Sequence, residues 1–399
     1  MRVLVLTWEY PPIVVGGLGR HVDALARELV AQGHEVCVVT RGESSKPVDE
    51  TRDGVRVRRA AADPIAIDFT TESLLAWTQA AEHALVRAAL PVVRRWRPDV
   101  VHAHDWLVAQ SAVTLAQATR AALVVTMHAT EAGRHQGWLP KPLNLAIHSV
   151  ERWVAQEADA VITCSSAMRA EAMQLFELDA DQVDVVPNGI DALRWRAGTT
   201  SIAEARKRHA PPDGPLVVFA GRLVYEKGVQ TLLDALPAVR RTHPGARLLV
   251  AGTGVYEDQL QSRARRRRLA RAVEWAGFVP EVDLAAILGA ADVVVVPSLY
   301  EPFGIVALEA AAARTPLVVA RTGGLDDLVE SRIATASFTP GDTPELADAI
   351  VSVLDEPDAA RRHAQRAARA VGRRYAWPAV AAHTAAVYER AITTGRGGP

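Results

Sequence analysis

A repeated alternation constrains this chain more than any other feature. Short runs of Val, Ile and Leu are separated by longer Ala-, Arg- and Glu-rich segments of helical period. A continuous apolar run suits a strand buried on both faces, and strands that alternate with helices build a parallel sheet wrapped by helices. The expected fold class is therefore α/β. Strands are predicted at 3–7, 35–40, 55–58, 100–104, 123–128, 160–164 and 183–187, and helices at 19–32, 71–95, 107–118, 143–158 and 167–176.

The pattern then begins afresh, with strands predicted at 216–220, 247–251, 273–277, 293–297 and 317–320. A length of 399 residues exceeds what one hydrophobic core usually supports, so two similar units are expected. The Gly-, Thr- and Pro-containing stretch from Asn188 to Pro215 is the predicted linker, and the tail from Thr393 is expected to be loose.

Charge narrows the partners. Lys plus Arg number 45 against 46 Asp plus Glu, a net charge of -1, so no overall positive field exists to hold a nucleic acid. The two cysteines, Cys37 and Cys164, sit in apolar strand-like runs and read as small buried hydrophobes rather than a disulfide framework. The apolar run from Val3 to Trp8 ends too early for a signal peptide, and no run approaches the roughly 18 apolar residues of a membrane span. A cytoplasmic location is expected. A peripheral membrane contact and the oligomeric state stay open.

Open parallel sheets bind ligands beyond the carboxyl ends of their strands, and two such units facing each other would enclose a cleft there. The glycine and polar clusters fall in those loops. After the first strand, Gly16-Gly17-Leu18-Gly19 leads into a helix; bare amides at a helix N-terminus suit phosphate, and glycines equally serve a tight turn. The spacing is not that of the G-x-G-x-x-G dinucleotide motif. Gly221-Arg222 and Glu226-Lys227-Gly228 follow the first strand of the second half, placing two cations where a diphosphate could be held, although a solvated pair would look the same. Glu301-Pro302-Phe303-Gly304-Ile305, followed by Glu309, sets two carboxylates near a helix start; these can accept from vicinal hydroxyls of a sugar or ribose, or simply cap the helix.

These segments, with Pro187-Asn188-Gly189-Ile190-Asp191, resemble in order and spacing the retaining glycosyltransferases of the family 4 type, which include sucrose synthases, phosphatidylinositol mannosyltransferases and many bacterial glucosyltransferases. The resemblance runs from the first strand to about Trp377. His102-Ala103-His104-Asp105-Trp106 and the stretch Thr126 to His135 further resemble actinobacterial α-1,4-glucan synthases of the glycogen-synthase kind. The resemblance implies a GT-B fold, two Rossmann-like domains across a cleft: residues 1–190, completed by a final helix at about 372–392, on the acceptor side, and 191–371 on the nucleotide-sugar side. It implies transfer of a hexose, glucose first, from UDP- or ADP-glucose to a glucan or oligosaccharide through an α-1,4 linkage.

By the same resemblance Arg222 and Lys227 hold the donor diphosphate, Glu301 the sugar hydroxyls and Glu309 the ribose. Phe303, Gly304 and Ile305 complete the cradle with Gly16 and Gly17, while Gly254 and Val279 border the base. His128 lies beneath the sugar, and Asp105, Glu131 and His135 shape the acceptor side. Glycogen synthases usually carry a lysine two positions before the paired glycines, where this chain has Val14. That leaves the donor base open, and with it a mannosyl- or other hexosyltransferase acting on a lipid or small-molecule acceptor.

No carboxylate reads as a double-displacement nucleophile, so a front-face route is expected, in which the leaving diphosphate accepts the incoming hydroxyl's proton. No cofactor and no metal are expected. Asp179-Ala180-Asp181 mimics a metal-holding D-x-D element but reads as a solvated turn, and His102 and His104 read as strand-end residues beside the acceptor rather than ligands. The arginine run from Arg263 to Arg268 reads as a solvated helix face. A glycan phosphorylase would need a pyridoxal-bearing lysine that no segment supplies, and a non-catalytic glycan-binding protein is the alternative from another class.

Overall fold

The computed structural model describes residues 1–13, 16–212 and 214–395. Val14, whose departure from glycogen synthases is noted above, lies outside the described residues, as do Asp213 of the predicted linker and the last four residues of the tail. The chain divides into two compact units, residues 1–189 with 377–399, and residues 190–376.

The first unit holds strands β1 (Arg2–Thr7), β2 (Glu35–Arg41), β3 (Val48–Arg52), β4 (Val55–Ala60), β5 (Val100–His104), β6 (Ala122–Met127), β7 (Ala160–Thr163) and β8 (Val183–Val185). Their order is β3-β4-β2-β1-β5-β6-β7-β8, parallel throughout except for the β3–β4 pair. Val3, Val5, Val38, Val57 and Val124 are fully or almost fully buried, as uninterrupted apolar runs between helical layers require. The helix Gly17–Ala31 buries Val22, Leu25, Ala26 and Leu29 at helical spacing. The helix Trp377–Thr394 joins the same core through Val380, Ala381 and Tyr388.

The second unit holds β9 (Leu216–Ala220), β10 (Arg247–Ala251), β11 (Val273–Gly277), β12 (Val293–Val296), β13 (Leu317–Ala320) and β14 (Ala336–Phe338), in the order β11-β10-β9-β12-β13-β14 and all parallel. Each sheet reverses its winding direction once, between β1 and β5 in the first and between β9 and β12 in the second. Loops leaving a sheet at such a switch point diverge and open a crevice.

The α/β class expected from the alternation is the one found. The predicted linker is not a plain connection: Thr199–His209 forms a helix, and Arg206 pairs with Asp292 of the second unit at 2.5 Å. Its scarce apolar residues concealed it, since only Ala205 is buried. The arginine run lies largely on the helix Glu257–Arg266, where Arg263 and the following Arg267 both pair with Asp234 and the others stay solvated. Cys37 and Cys164 are buried and form no disulfide among the described residues. No helix among the described residues is long and apolar enough to cross a membrane.

Candidate functional site

In the first unit, chemistry gathers at the carboxyl ends of β1, β5 and β6. Asp105 follows β5 with φ 61° and ψ 174°, a conformation that side chains rarely adopt, and its Oδ1 accepts the backbone N–H of His128 at 2.8 Å. Backbone strain of this kind persists where surrounding contacts over-determine it. Burial raises the Asp105 carboxyl to about 6, although the His128 N–H favours its ionised form.

His128 meets His104 through a bond of 3.0 Å between Nε2 and Nδ1, and the His21 ring stands edge-on to it at 4.7 Å. Burial lowers His128 to about 4 and drives His21 and His104 well below the ordinary imidazole range, so all three rings are neutral at pH 7. Their ring nitrogens lie within 4.8 Å of one another, which makes them a possible metal-holding group among the described residues. His104 Nδ1 and His128 Nε2 are bonded to each other, whereas His21 Nδ1 and His104 Nε2 are buried without a hydrogen-bond partner.

His102 corrects the sequence reading. It is fully buried, with Nδ1 bonded to the Tyr388 hydroxyl and Nε2 to Thr126 Oγ1, both at 2.7 Å. It is a core polar tie between β5, β6 and the final helix, not a residue beside an acceptor. Asp179 and Asp181 lie in an exposed turn.

Glu131 is buried and accepts from Asn144 Nδ2 at 2.5 Å, with His135 Nε2 3.3 Å away. Both oxygens of Glu151 accept the Glu131 backbone N–H at 3.0 Å, and burial raises Glu151 to about 8. Sequence reasoning missed Asn144 and Glu151, which sit inside an ordinary amphipathic helix, and His21, two residues beyond the Gly16–Gly19 cluster. The Gly16 N–H donates to Glu9 Oε2 at 2.9 Å, so a protein carboxylate occupies the amide expected to meet phosphate, and Gly17 opens the helix beside it.

In the second unit the singled-out residues line up along the carboxyl ends of β9 to β12. Gly221 and Arg222 follow β9; Arg222 is exposed and its side chain makes no hydrogen bond or ion pair among the described residues. Lys227 Nζ lies 2.7 Å from Glu301 Oε2, and the Ser298 hydroxyl donates to the same oxygen at 3.0 Å. Two residues 74 positions apart are thereby joined because β9 and β12 are neighbours.

Glycines make this approach possible. Gly228 has φ 70°, and a Cβ there would stand 1.7 Å from the Pro297 carbonyl oxygen. Gly254 brings its backbone so close to Leu223 that a Cβ would lie 2.2 Å from that carbonyl. Gly304, at φ 95°, caps the helix Ile305–Ala312. Phe303 is buried against Tyr375 at 6.1 Å, Ile305 is exposed, and Glu309 is half-buried one turn on. Val279 is half-buried in the loop after β11. Ser298, the third member of the Lys227–Glu301 cluster, had no signal beyond its place after a strand.

The family model described as "Glycosyl transferase 4-like domain" matches residues 16–189, and "Glycosyl transferases group 1" matches residues 201–370. Glycogen synthase of Mycobacterium tuberculosis is 46% identical, covering 97% of this chain and 94% of that protein. The chain belongs to this glycosyltransferase family. Another family member, the α-maltose-1-phosphate synthase of Mycolicibacterium smegmatis, is 33% identical over 98% of this chain and 99% of its own length. Sucrose-phosphate synthase from Thermosynechococcus elongatus has the same fold, with a TM-score of 0.82 at 24% identity over 99% of this chain and 100% of that one. This glycosyltransferase thus has the GT-B architecture that the resemblance implied.

Proposed function

We propose that the enzyme transfers glucose, with retention, from UDP- or ADP-glucose to a glucan or oligosaccharide acceptor, forming an α-1,4 linkage. The observation that carries this reading is the Lys227–Glu301–Ser298 cluster at the β9/β12 switch point beside the unpaired Arg222. Lys227 bonds Glu301 with one of its three N–H donors, leaving two for phosphate oxygens. Arg222 offers a planar fork to the same diphosphate. Glu301 keeps Oε1 for a sugar hydroxyl, Glu309 takes the ribose, the Phe303–Ile305 backbone and Gly254 with Val279 frame the nucleotide sugar, and His128 contributes a neutral imidazole to the sugar. Asp105, Glu131 and His135 serve the acceptor side. The Gly16 amide, with Gly17, joins donor binding once it is released from Glu9.

The bond from the anomeric carbon to the diphosphate breaks while the acceptor oxygen bonds that carbon from the same face. The acceptor's proton passes to the departing diphosphate oxygen. Fixed positive charge aimed at the developing diphosphate lowers the barrier, and neither metal nor organic cofactor has a role in this scheme. The 46% identity to a glycogen synthase favours glucose and a glucan.

The test is incubation with UDP- or ADP-glucose and a malto-oligosaccharide, following released nucleoside diphosphate and reading the new linkage by NMR. An α-linked product is expected. A β-linked product, or no transfer from either donor, overturns the reading.

A further inference from the structure

Three histidines of the first unit bring their rings together from three elements. His21 lies on the helix Gly17–Ala31, His104 ends β5, and His128 follows β6. One ring nitrogen from each lies within 4.8 Å of the other two. His21 and His104 are buried, while the half-buried His128 is the member that meets solvent and gives an ion its way in.

Hydrogen bonding leaves this cluster incomplete. His104 Nδ1 and His128 Nε2 are tied to each other, but His21 Nδ1 and His104 Nε2 are buried with no partner. Buried ring nitrogens are ordinarily bonded because an unsatisfied one is costly, so two exceptions in one cluster call for a physical reason. An occupant that takes nitrogen lone pairs supplies it.

The spacing suits a metal ion. A tetrahedral ion holding nitrogens at about 2.0–2.1 Å sets them about 3.3 Å apart. The His104–His128 pair already stands at 3.0 Å, and no separation in the trio exceeds that edge by more than about 1.5 Å, which rotation of the rings closes. The proton of the His104–His128 bond stays in the pair: when an ion takes the place between the two nitrogens, the ring that carries the proton holds it on its other nitrogen.

The trio contains imidazoles alone, without a carboxylate or a thiol, a donor set that suits zinc, copper and nickel and not magnesium or calcium. Outer contacts of the kind that orient metal ligands are also in place. Asn188 bonds the His21 side chain, and Asp105 Oδ1 holds the His128 backbone N–H at 2.8 Å.

We propose that His21, His104 and His128 bind one zinc-class divalent ion, with a fourth position open to water, and that this ion inhibits the enzyme by taking the His128 ring away from the sugar. The inhibition rests on the transferase reading; the binding does not. His21 and His104 thereby gain a role that glycosyl transfer does not give them.

The test uses the full-length enzyme, stripped with a chelator and desalted. Calorimetric titration should find one Zn²⁺ per chain and no binding of Mg²⁺ or Ca²⁺. Co²⁺ in the same place should show the intense visible absorption of a four-coordinate site rather than the faint bands of the hydrated ion. His21→Gln and His104→Gln should each weaken Zn²⁺ binding by more than the roughly 10- to 100-fold that loss of an outer contact costs, whereas His383→Gln, exposed on the final helix, should leave it unchanged. Absence of Zn²⁺ binding to the wild type, the faint cobalt spectrum, unchanged affinity in His21→Gln, or a loss in His383→Gln overturns the site. Where a variant fails to fold, the wild-type cobalt spectrum still decides.

In the transfer assay Zn²⁺ should raise the KM for the glucose donor, and chelator should restore the rate. Measured against its own metal-free rate, His21→Gln should need correspondingly more Zn²⁺ for the same inhibition. Zn²⁺ bound at the site without inhibition overturns the blocking of His128. Failure of transfer by the metal-free enzyme would count against the transferase reading, and the titration and cobalt spectrum would still decide the metal site.

Discussion

Replacing Lys227 with methionine keeps the aliphatic stem and deletes the ammonium 2.7 Å from Glu301 Oε2. The two side chains are only 20% and 12% exposed, so the change leaves a largely desolvated carboxylate whose remaining side-chain partner among the described residues is the Ser298 hydroxyl. Breaking a fully buried pair costs about 3–5 kcal/mol; with this residual exposure about 2–3 kcal/mol of stability should be lost, read as a shift in the urea midpoint. Turnover should fall separately, by roughly 10²- to 10³-fold, because one donor to the leaving diphosphate is gone.

The double variant Lys227→Met with Glu301→Gln distinguishes the two effects. Without a buried charge to strand, it should regain stability to within about 1 kcal/mol of the wild type. Its turnover, followed as nucleoside diphosphate release, should stay at or below that of the single variant. Recovery of turnover along with stability would show that Lys227 only holds the fold, and near-normal turnover in the single variant would remove the diphosphate role altogether.

Three further outcomes follow from other sites. The buried imidazoles of His21, His102, His104 and His128 have folded pKa values below the unfolded one, so their contribution is present above about pH 6.5 and lost on acidification, whereas Asp105 at about 6 and Glu151 at about 8 act in the opposite sense. Between pH 7 and 5.5 the four rings should cost about 5 kcal/mol and the two carboxyls return about 3, so urea titrations should show a net loss of about 2 kcal/mol, and a gain would refute the neutral cluster. Gly228→Ala, at φ 70° and with its Cβ 1.7 Å from the Pro297 oxygen, should lose at least about 2–3 kcal/mol in urea titration. Asp105→Gly, which relieves the φ 61°, ψ 174° strain, should raise the melting temperature or leave it unchanged while reducing turnover through loss of the bond to the His128 N–H; a stability loss with normal turnover would contradict the positioning role.

The strands legible in the sequence are those buried on both faces, because an unbroken run such as Val293–Val296 has no other economical explanation. β3 was missed: Val48–Arg52 is exposed throughout, and the signal for its antiparallel pairing with β4 was the Asp53-Gly54 turn, with φ 50° and 81°, rather than an apolar run. The helix Thr199–His209 escaped for another reason, since its Ile202 is met by Gly289, a position where a Cβ would come within 3.0 Å. For that helix the deciding contact is supplied by a partner distant in sequence.

The same reasoning separates the parts of the candidate site. Which residues sit at strand ends follows from local pattern, and that much placed Arg222, Lys227, Glu301 and Asp105 in loops. Which of them touch follows from strand order: Lys227 reaches Glu301 because β12 inserts beside β9, and Asp105 reaches His128 because β6 lies beside β5. His102 shows the limit most sharply. Its spacing from His104 suggested shared duty near a ligand, yet Tyr388, 286 residues away, comes in from the final helix and turns it into core. Arg41 is the converse case, unremarkable as the end of a strand. Its place over the Trp8 ring, with a buried Nε that has no hydrogen-bond partner, arises only from residues the fold brings beside it. A contact of this kind is a property of a neighbourhood, so it is read from coordinates even where the fold is read from the chain.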